Sequence, residues 1–155
     1  MILKLIKCLL GQRPKLIVQR LTEDAVLPGY KKDRDSGMDI HSIEEVLVPV
    51  GGRKIIRTGL AMKLPPESEI QVRSRSGLSI SAGIVVTNSP GTVDESYRGE
   101  VKVIIENRGD SAFLVKHHMR IAQIVVCPVI RVDVEEGVVD QNTERGTGGF
   151  GSTGV

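Results

Sequence analysis

Apolar residues in this chain come in short runs, and Gly or Pro stops almost every run before it is long enough for a helix. Residues 46–50 and 54–60 are split by Gly51-Gly52, a hairpin signal. Residues 61–64 end at Pro65-Pro66, and residues 84–87 run into Asn88-Ser89-Pro90-Gly91. Residues 101–106 stop at Asn107-Arg108-Gly109-Asp110, ahead of a further run at 112–116. Residues 15–21 and 69–73 add two more strand-like stretches. Such runs bounded by turn formers are strands, and many at close spacing make a sandwich or barrel. The side chains agree: with two Phe, two Tyr and no Trp, the core is left to Val, Ile and Leu, which suit pleated surfaces. The pattern predicts an all-β sandwich or jelly roll over residues 15–141, with an extension at 1–14 and a glycine-rich tail at 142–155 that is either disordered or a strap. No helix-period segment of useful length is expected beyond residues 1–10. The longest apolar stretch, 120–134, is broken by Pro128, and Ile130-Arg131-Val132-Asp133-Val134 alternates as a half-buried strand should.

A chain of 155 residues is one domain with a real core. Its net charge of +2 is too small to make the molecule a general polyanion binder, so any nucleotide role rests on local arginines. Cys8 and Cys127 stand alone, without a CxxC or a disulfide framework, which points to a reducing, cytoplasmic setting. Within Met1 to Leu10, Lys4 and Lys7 break the apolar run that a secretory signal needs, and no membrane span is expected.

The stretch from Asn88 to Val101 frames one carboxylate, Asp94, and one tyrosine, Tyr97, between a Pro-Gly and an Arg-Gly pair. Functional side chains sit on such turns, and a carboxylate beside a polyphosphate can take a proton from water. A turn Asp satisfying local amides is the plain alternative. Arg73-Ser74-Arg75-Ser76-Gly77 offers cations, hydroxyls and close backbone approach, which phosphate binding needs; a solvated turn explains it too. In the tail, Gly146-x-Gly148-x-x-Gly151 matches the dinucleotide fingerprint literally, but that motif needs a following helix and only four residues remain here. Arg145 and Phe150 fit a strap that closes over a nucleotide, one on phosphate and one on a base. No Walker loop, GxSxG elbow or zinc pattern is present. His117 and His118 are adjacent, so on a strand they would face opposite ways and not share a metal. Any required metal is then a hard cation such as Mg²⁺, brought by a phosphate ligand.

Five short motifs occur in order: Ser36-Gly37-Met38-Asp39-Ile40, Arg75-Ser76-Gly77-Leu78, Gly91-Thr92-Val93-Asp94-Glu95-Ser96-Tyr97-Arg98-Gly99, Arg120-Ile121-Ala122-Gln123-Ile124, and Arg145-Gly146-Thr147-Gly148-Gly149-Phe150-Gly151-Ser152-Thr153-Gly154. Together they closely resemble the trimeric dUTP diphosphatases, or dUTPases, across nearly the whole chain outside the N-terminal extension. The resemblance implies a homotrimer with active sites at subunit junctions, hydrolysing dUTP to dUMP and diphosphate with Mg²⁺, and no stable nucleic-acid or membrane partner. Asp94 would activate water against the α-phosphorus. Arg75, Ser76, Gly77 and Gln123 match phosphate-side positions, and Tyr97 matches the ring beneath the deoxyribose. Asn88, with the hairpin at Thr92, Val93 and Lys102, would read uracil. Arg145 would clamp the γ-phosphate, Phe150 would stack on the base beside Gly151, and Asp39 would hold Mg²⁺ only through water. His118-Met119 departs from the family, which usually has Gly and an acidic residue before Arg120. The nearest rival, dCTP deaminase, shares the fold and trimer but lacks the glycine-rich Phe strap; the intact third and fifth motifs argue against it.

Overall fold

The structure, a computed structural model, describes residues 13–149. Ten strands and one short helix follow in order: β1 (Ile17–Arg20), β2 (Met38–His41), β3 (Val46–Val48), β4 (Arg53–Lys63), β5 (Ser68–Arg73), α1 (Ser76–Ala82), β6 (Ile84–Val86), β7 (Gly91–Val93), β8 (Glu100–Asn107), β9 (Phe113–Val115) and β10 (Arg120–Pro128). They form two four-stranded antiparallel sheets, ordered β1-β4-β8-β6 and β2-β10-β5-β7, and a small sheet β3-β9. This is the expected all-β, jelly-roll-like architecture.

Alternation explains the core. In β8, Val101, Val103 and Ile105 are buried while Lys102 is exposed and Ile104 half-buried. Each such aliphatic side chain contributes about 1.5–3 kcal/mol on burial. Ile40, Ile70 and Ile124 from the second sheet meet Ile56, Leu60 and Ile84 from the first. Asn107 is the exception within β8, a fully buried amide at its end. Its Nδ2 donates to the carbonyls of Val48 (3.0 Å) and Ser111 (2.8 Å), and its Oδ1 accepts from the Gly109 amide at 2.9 Å. Every polar atom of the amide is satisfied, as a buried polar group requires.

Three expectations are corrected. Gly51-Gly52 does not close a hairpin: β3 pairs with β9, whereas β4 pairs with β1 and β8. The Gly pair instead docks on the Asn107 backbone (Gly51 N to Asn107 O, 2.8 Å; Asn107 N to Gly52 O, 3.0 Å) and passes the chain between sheets. Residues 54–64 are not two strands; β4 runs through, with a register shift between Arg57 and Ala61 where Gly59 has φ +66°. A side chain at Gly59 would also strike Thr22 Oγ1, 2.7 Å from the ideal Cβ position. Residues 130–134 are not a strand, and Ile130, Val132 and Val134 are 75–94% exposed, because no strand among the described residues lies beside them.

Candidate active site

The functional turn lies where the chain crosses from one sheet to the other. β7 pairs with β5 at the edge of the second sheet, and β8 pairs with β4 and β6 in the first. Asp94 and Tyr97 stand on the connection between them. The Tyr97 amide donates to Asp94 O (3.1 Å), closing the turn, and the Tyr97 hydroxyl donates to Glu100 O at 3.1 Å. Gly99 allows this fold-back: a Cβ there would lie 2.7 Å from the Tyr97 Cζ. Thr92, Val93, Asp94, Tyr97 and Lys102 line one hollow of about 370 Å³ together with Ile55, Glu100, Val101 and Ile104.

Sequence reasoning missed Ile55 and Glu100 here. Ile55 faces Ile104 across the β4–β8 ladder, and its 61% exposure follows from lining an open hollow. Glu100 accepts from the Gly59 amide (2.9 Å) and pairs with Arg57 at 3.2 Å. The β8 alternation was the available signal, since Glu100, Lys102 and Ile104 share one face. Asn88 does not line this hollow; its amide packs against Gly91, whose missing Cβ leaves it room.

A second group gathers around Asp39. In the β2–β10–β5 ladder, Gln123 stands opposite Asp39 on one side and Arg73 on the other. Met38 and Ile40 face the core, so Asp39 points away from it. Arg75 Nε donates to Asp39 Oδ1 at 2.9 Å and Arg120 Nη1 to Oδ2 at 3.0 Å, with Lys31 Nζ 3.4 Å from Oδ2. Arg75 Nη1 also donates to Arg120 O (3.1 Å), so the guanidinium is fixed from two directions. Gln123 Nε2 donates to Ser74 O (2.9 Å), and Gly37 leaves space for it: a Cβ there would collide with Gln123 Oε1, 2.5 Å away. Lys31, Asp35, Ser36, Gly37, Asp39 and Gln123 line the hollow in front of this group. Lys31 and Arg120 are additions, because their roles depend on long-range pairing to Asp39.

Both carboxylate oxygens of Asp39 are engaged by cations. Neither oxygen is therefore open for direct ligation of a metal ion. His41, next to Asp39 but one, is held below its ordinary pKa by burial, while the Asp39 charge pulls the other way.

Arg75 precedes α1, and Ser76 and Gly77 form its exposed first turn. This helix is shorter than the segments that a helical period marks. It has two turns and no fully buried residue: Leu78 and Ala82 pack partly buried against the core and Ile80 is 88% exposed. Ser79 and Ser81 hydroxyls donate back to the Arg75 and Gly77 carbonyls (3.0 and 2.6 Å). Gly83 ends it at φ +63°. The chain thus presents separate hollows: Asp94 and Tyr97 line one, Asp39 and Gln123 a second, and Arg75, with Arg120 and the turn at 116–119, a third. Arg145 lies on the exposed tail with Nε donating to Gly148 O (3.0 Å); Phe150 and Gly151 lie outside the described residues.

The dUTPase family profile matches residues 23–154. The deoxyuridine 5'-triphosphate nucleotidohydrolase of Clostridium kluyveri is 51% identical over 141 residues, covering 91% of this chain and 99% of that protein. The protein of the same name from Crocosphaera subtropica is 51% identical over 136 residues, covering 88% and 96%. Among solved structures, the dUTPase of Staphylococcus bacteriophage 80alpha with dUPNHPP superposes with a TM-score of 0.85 at 25% identity, covering 91% of this chain and 99% of that one. The chain belongs to the dUTPase family.

Proposed function

We propose that this protein hydrolyses dUTP to dUMP and diphosphate, limiting uracil in DNA and supplying dUMP, at sites completed by neighbouring copies in a homotrimer. The observation that carries the reading is the separation of Asp94 and Tyr97, in one hollow, from Gln123 and Arg75, which line two others. Asp94 activates a water for attack on the α-phosphorus; the bond to the bridging oxygen breaks and diphosphate leaves. The Tyr97 ring, folded over Gly99, supports the deoxyribose where a 2'-hydroxyl would clash. Thr92, Val93 and Lys102, with Asn88, receive uracil; a site that hydrogen-bonds the base rejects a partner of wrong polarity most strongly. Arg75, Ser76, Gly77 and Gln123 of a neighbouring copy hold the phosphates. The tail brings Arg145 to the γ-phosphate and Phe150, with Gly151, over the base.

Mg²⁺, when bound, offsets phosphate charge, with Asp39 touching it through water. A phage φ11 dUTPase structure is described with a structural Mg(II) ion. The trimer is supported by the segment after β10. Ile130, Val132, Val134, Val138 and Val139 are exposed there with no strand partner among the described residues, an apolar edge that a second copy would cover. No helix among the described residues is long and apolar enough to cross a membrane, and the reading places the enzyme with the free deoxynucleotides of the cytoplasm.

The test mixes two inactive variants. Asp94→Asn and Arg75→Ala, each alone, should lose turnover. Co-refolded in equal amounts, they should regain roughly a quarter of the sites, because a junction site draws one intact residue from each copy in a symmetric ring. No recovery, with trimers formed, would place both residues in one chain's site and overturn the junction reading.

A further inference from the structure

We propose that Asp24, His117 and His118 form a binding site for a divalent transition-metal ion of the zinc class, outside the Asp94 hollow. The expectation that the adjacent histidines diverge does not hold, because they lie on a turn and not on a strand. His118 has φ +59°, which swings its ring to the side of its neighbour. The two ring centroids are 4.0 Å apart at 44°. Both rings reach Asp24: His117 Nε2 lies 2.8 Å from its Oδ2, and His118 Nε2 lies 2.9 Å from its main-chain O. One donor atom from each of the three side chains lies within 4.8 Å of the others.

Two imidazoles and a carboxylate are a donor set for Zn²⁺, Co²⁺, Ni²⁺ or Cu²⁺, unlike the all-oxygen environment that Mg²⁺ takes. With metal–ligand bonds of about 2.0–2.1 Å, tetrahedral donors stand roughly 3.3 Å apart. The His117–Asp24 pair therefore opens by about half an ångström and the widest pair closes by about 1.5 Å, within the reach of side-chain rotation. All three residues are exposed, so an ion can enter and keep water in its remaining positions.

The backbone holding these donors is fixed. The His118 amide donates to Ser42 O (2.8 Å), the Ser42 amide donates to Met119 O (2.9 Å), and Ser42 is fully buried. The Met119 amide closes the turn on Lys116 O at 3.0 Å. On the other side, Asp24 precedes buried Ala25, whose methyl packs against the close approach at Gly59. Rigid support of this kind is what makes three side chains a site. Lys116, Arg75 and Arg120 line the same hollow as the two histidines; Arg75 and Arg120 are both paired with Asp39, which removes part of their opposition to a cation. A bound ion would tie the segment after β1 to the turn that leads into β10, the strand carrying Arg120 and Gln123.

The test uses the tag-free full chain, without nucleotide or Mg²⁺. Equilibrium dialysis against Zn²⁺ should saturate at about one ion per chain, and Co²⁺ should give the visible absorption of a low-coordinate site. His117→Gln and His118→Asn should each weaken Zn²⁺ binding at least about tenfold, the loss expected on removing a ligand. Asn tolerates the left-handed conformation at position 118, and an unchanged metal-free melting temperature verifies that the variant folds. Zn²⁺ should raise the melting temperature of the wild type and not of either variant. Sub-stoichiometric binding by the wild type, or equal binding by folded variants, would reduce the cluster to a hydrogen-bonded latch and overturn the proposal.

Discussion

Replacing Asp39 by Asn removes one charge and keeps the side-chain shape. In the native site that charge meets two guanidiniums at 2.9 and 3.0 Å and an ammonium at 3.4 Å. The Asp39 and Arg75 side chains are 19% and 21% exposed, so the pair is largely but not wholly desolvated. Breaking a fully buried pair costs about 3–5 kcal/mol, whereas an exposed pair is worth about 0–1 kcal/mol. Asn retains one acceptor oxygen and so keeps one hydrogen bond. The expected loss is about 2 kcal/mol, a fall in melting temperature of roughly 4–8 °C for a chain of this size. Arg75 also loses its aim while repelling Arg120, so kcat/KM for dUTP should fall at least about tenfold, or 1.4 kcal/mol of transition-state stabilisation. Thermal melts at fixed protein concentration, beside steady-state diphosphate release, measure both effects. A variant within 1–2 °C of wild type and within about twofold in kcat/KM would refute the claim that Asp39 positions Arg75.

Two further expectations follow from particular groups. Asn107→Leu strands the Val48 and Ser111 carbonyls and the Gly109 amide, and urea unfolding should show a loss of about 2–4 kcal/mol, whereas a change below about 0.5 kcal/mol would mean water replaces the amide. His41 has a folded pKa below its ordinary 6.5, so the unfolded chain binds more protons as pH falls through that value; stability should drop below pH 6.5, and His41→Asn should lack that part of the drop.

How much of this was legible before the fold depended on the range of the interaction. β8 declared itself because its alternation is local: Val101, Val103 and Ile105 in, Lys102 out. The Asp94–Tyr97 turn was legible for the same reason. The helix Ser76–Ala82 was not, since two turns with no fully buried residue are too short to mark a period and serine hydroxyls bonded to carbonyls leave no sequence signature. Gly51-Gly52 looked like a hairpin because a turn signal does not say which strands pair; Asn107, more than fifty positions away, decides that. Ile130 to Val134 carries a strand alternation, yet no strand among the described residues lies beside it. His117 and His118 were misplaced by the assumption of extended backbone, which a single positive φ at His118 reverses. The links of Asp39 to Lys31 and Arg120 depend on β2 lying beside β10, which no local pattern encodes.

The central claim is that the Asp94 hollow selects a deoxyuridine triphosphate and that its hydrolysis releases diphosphate. Diphosphate release with Mg²⁺ from dUTP, dTTP, dCTP and UTP under one set of conditions tests it most directly. The account predicts release from dUTP alone at an appreciable rate, the methyl, the 4-amino group and the 2'-hydroxyl each excluding a competitor. Release from UTP or dTTP at a comparable rate, ammonia from dCTP, or no diphosphate from dUTP would contradict it.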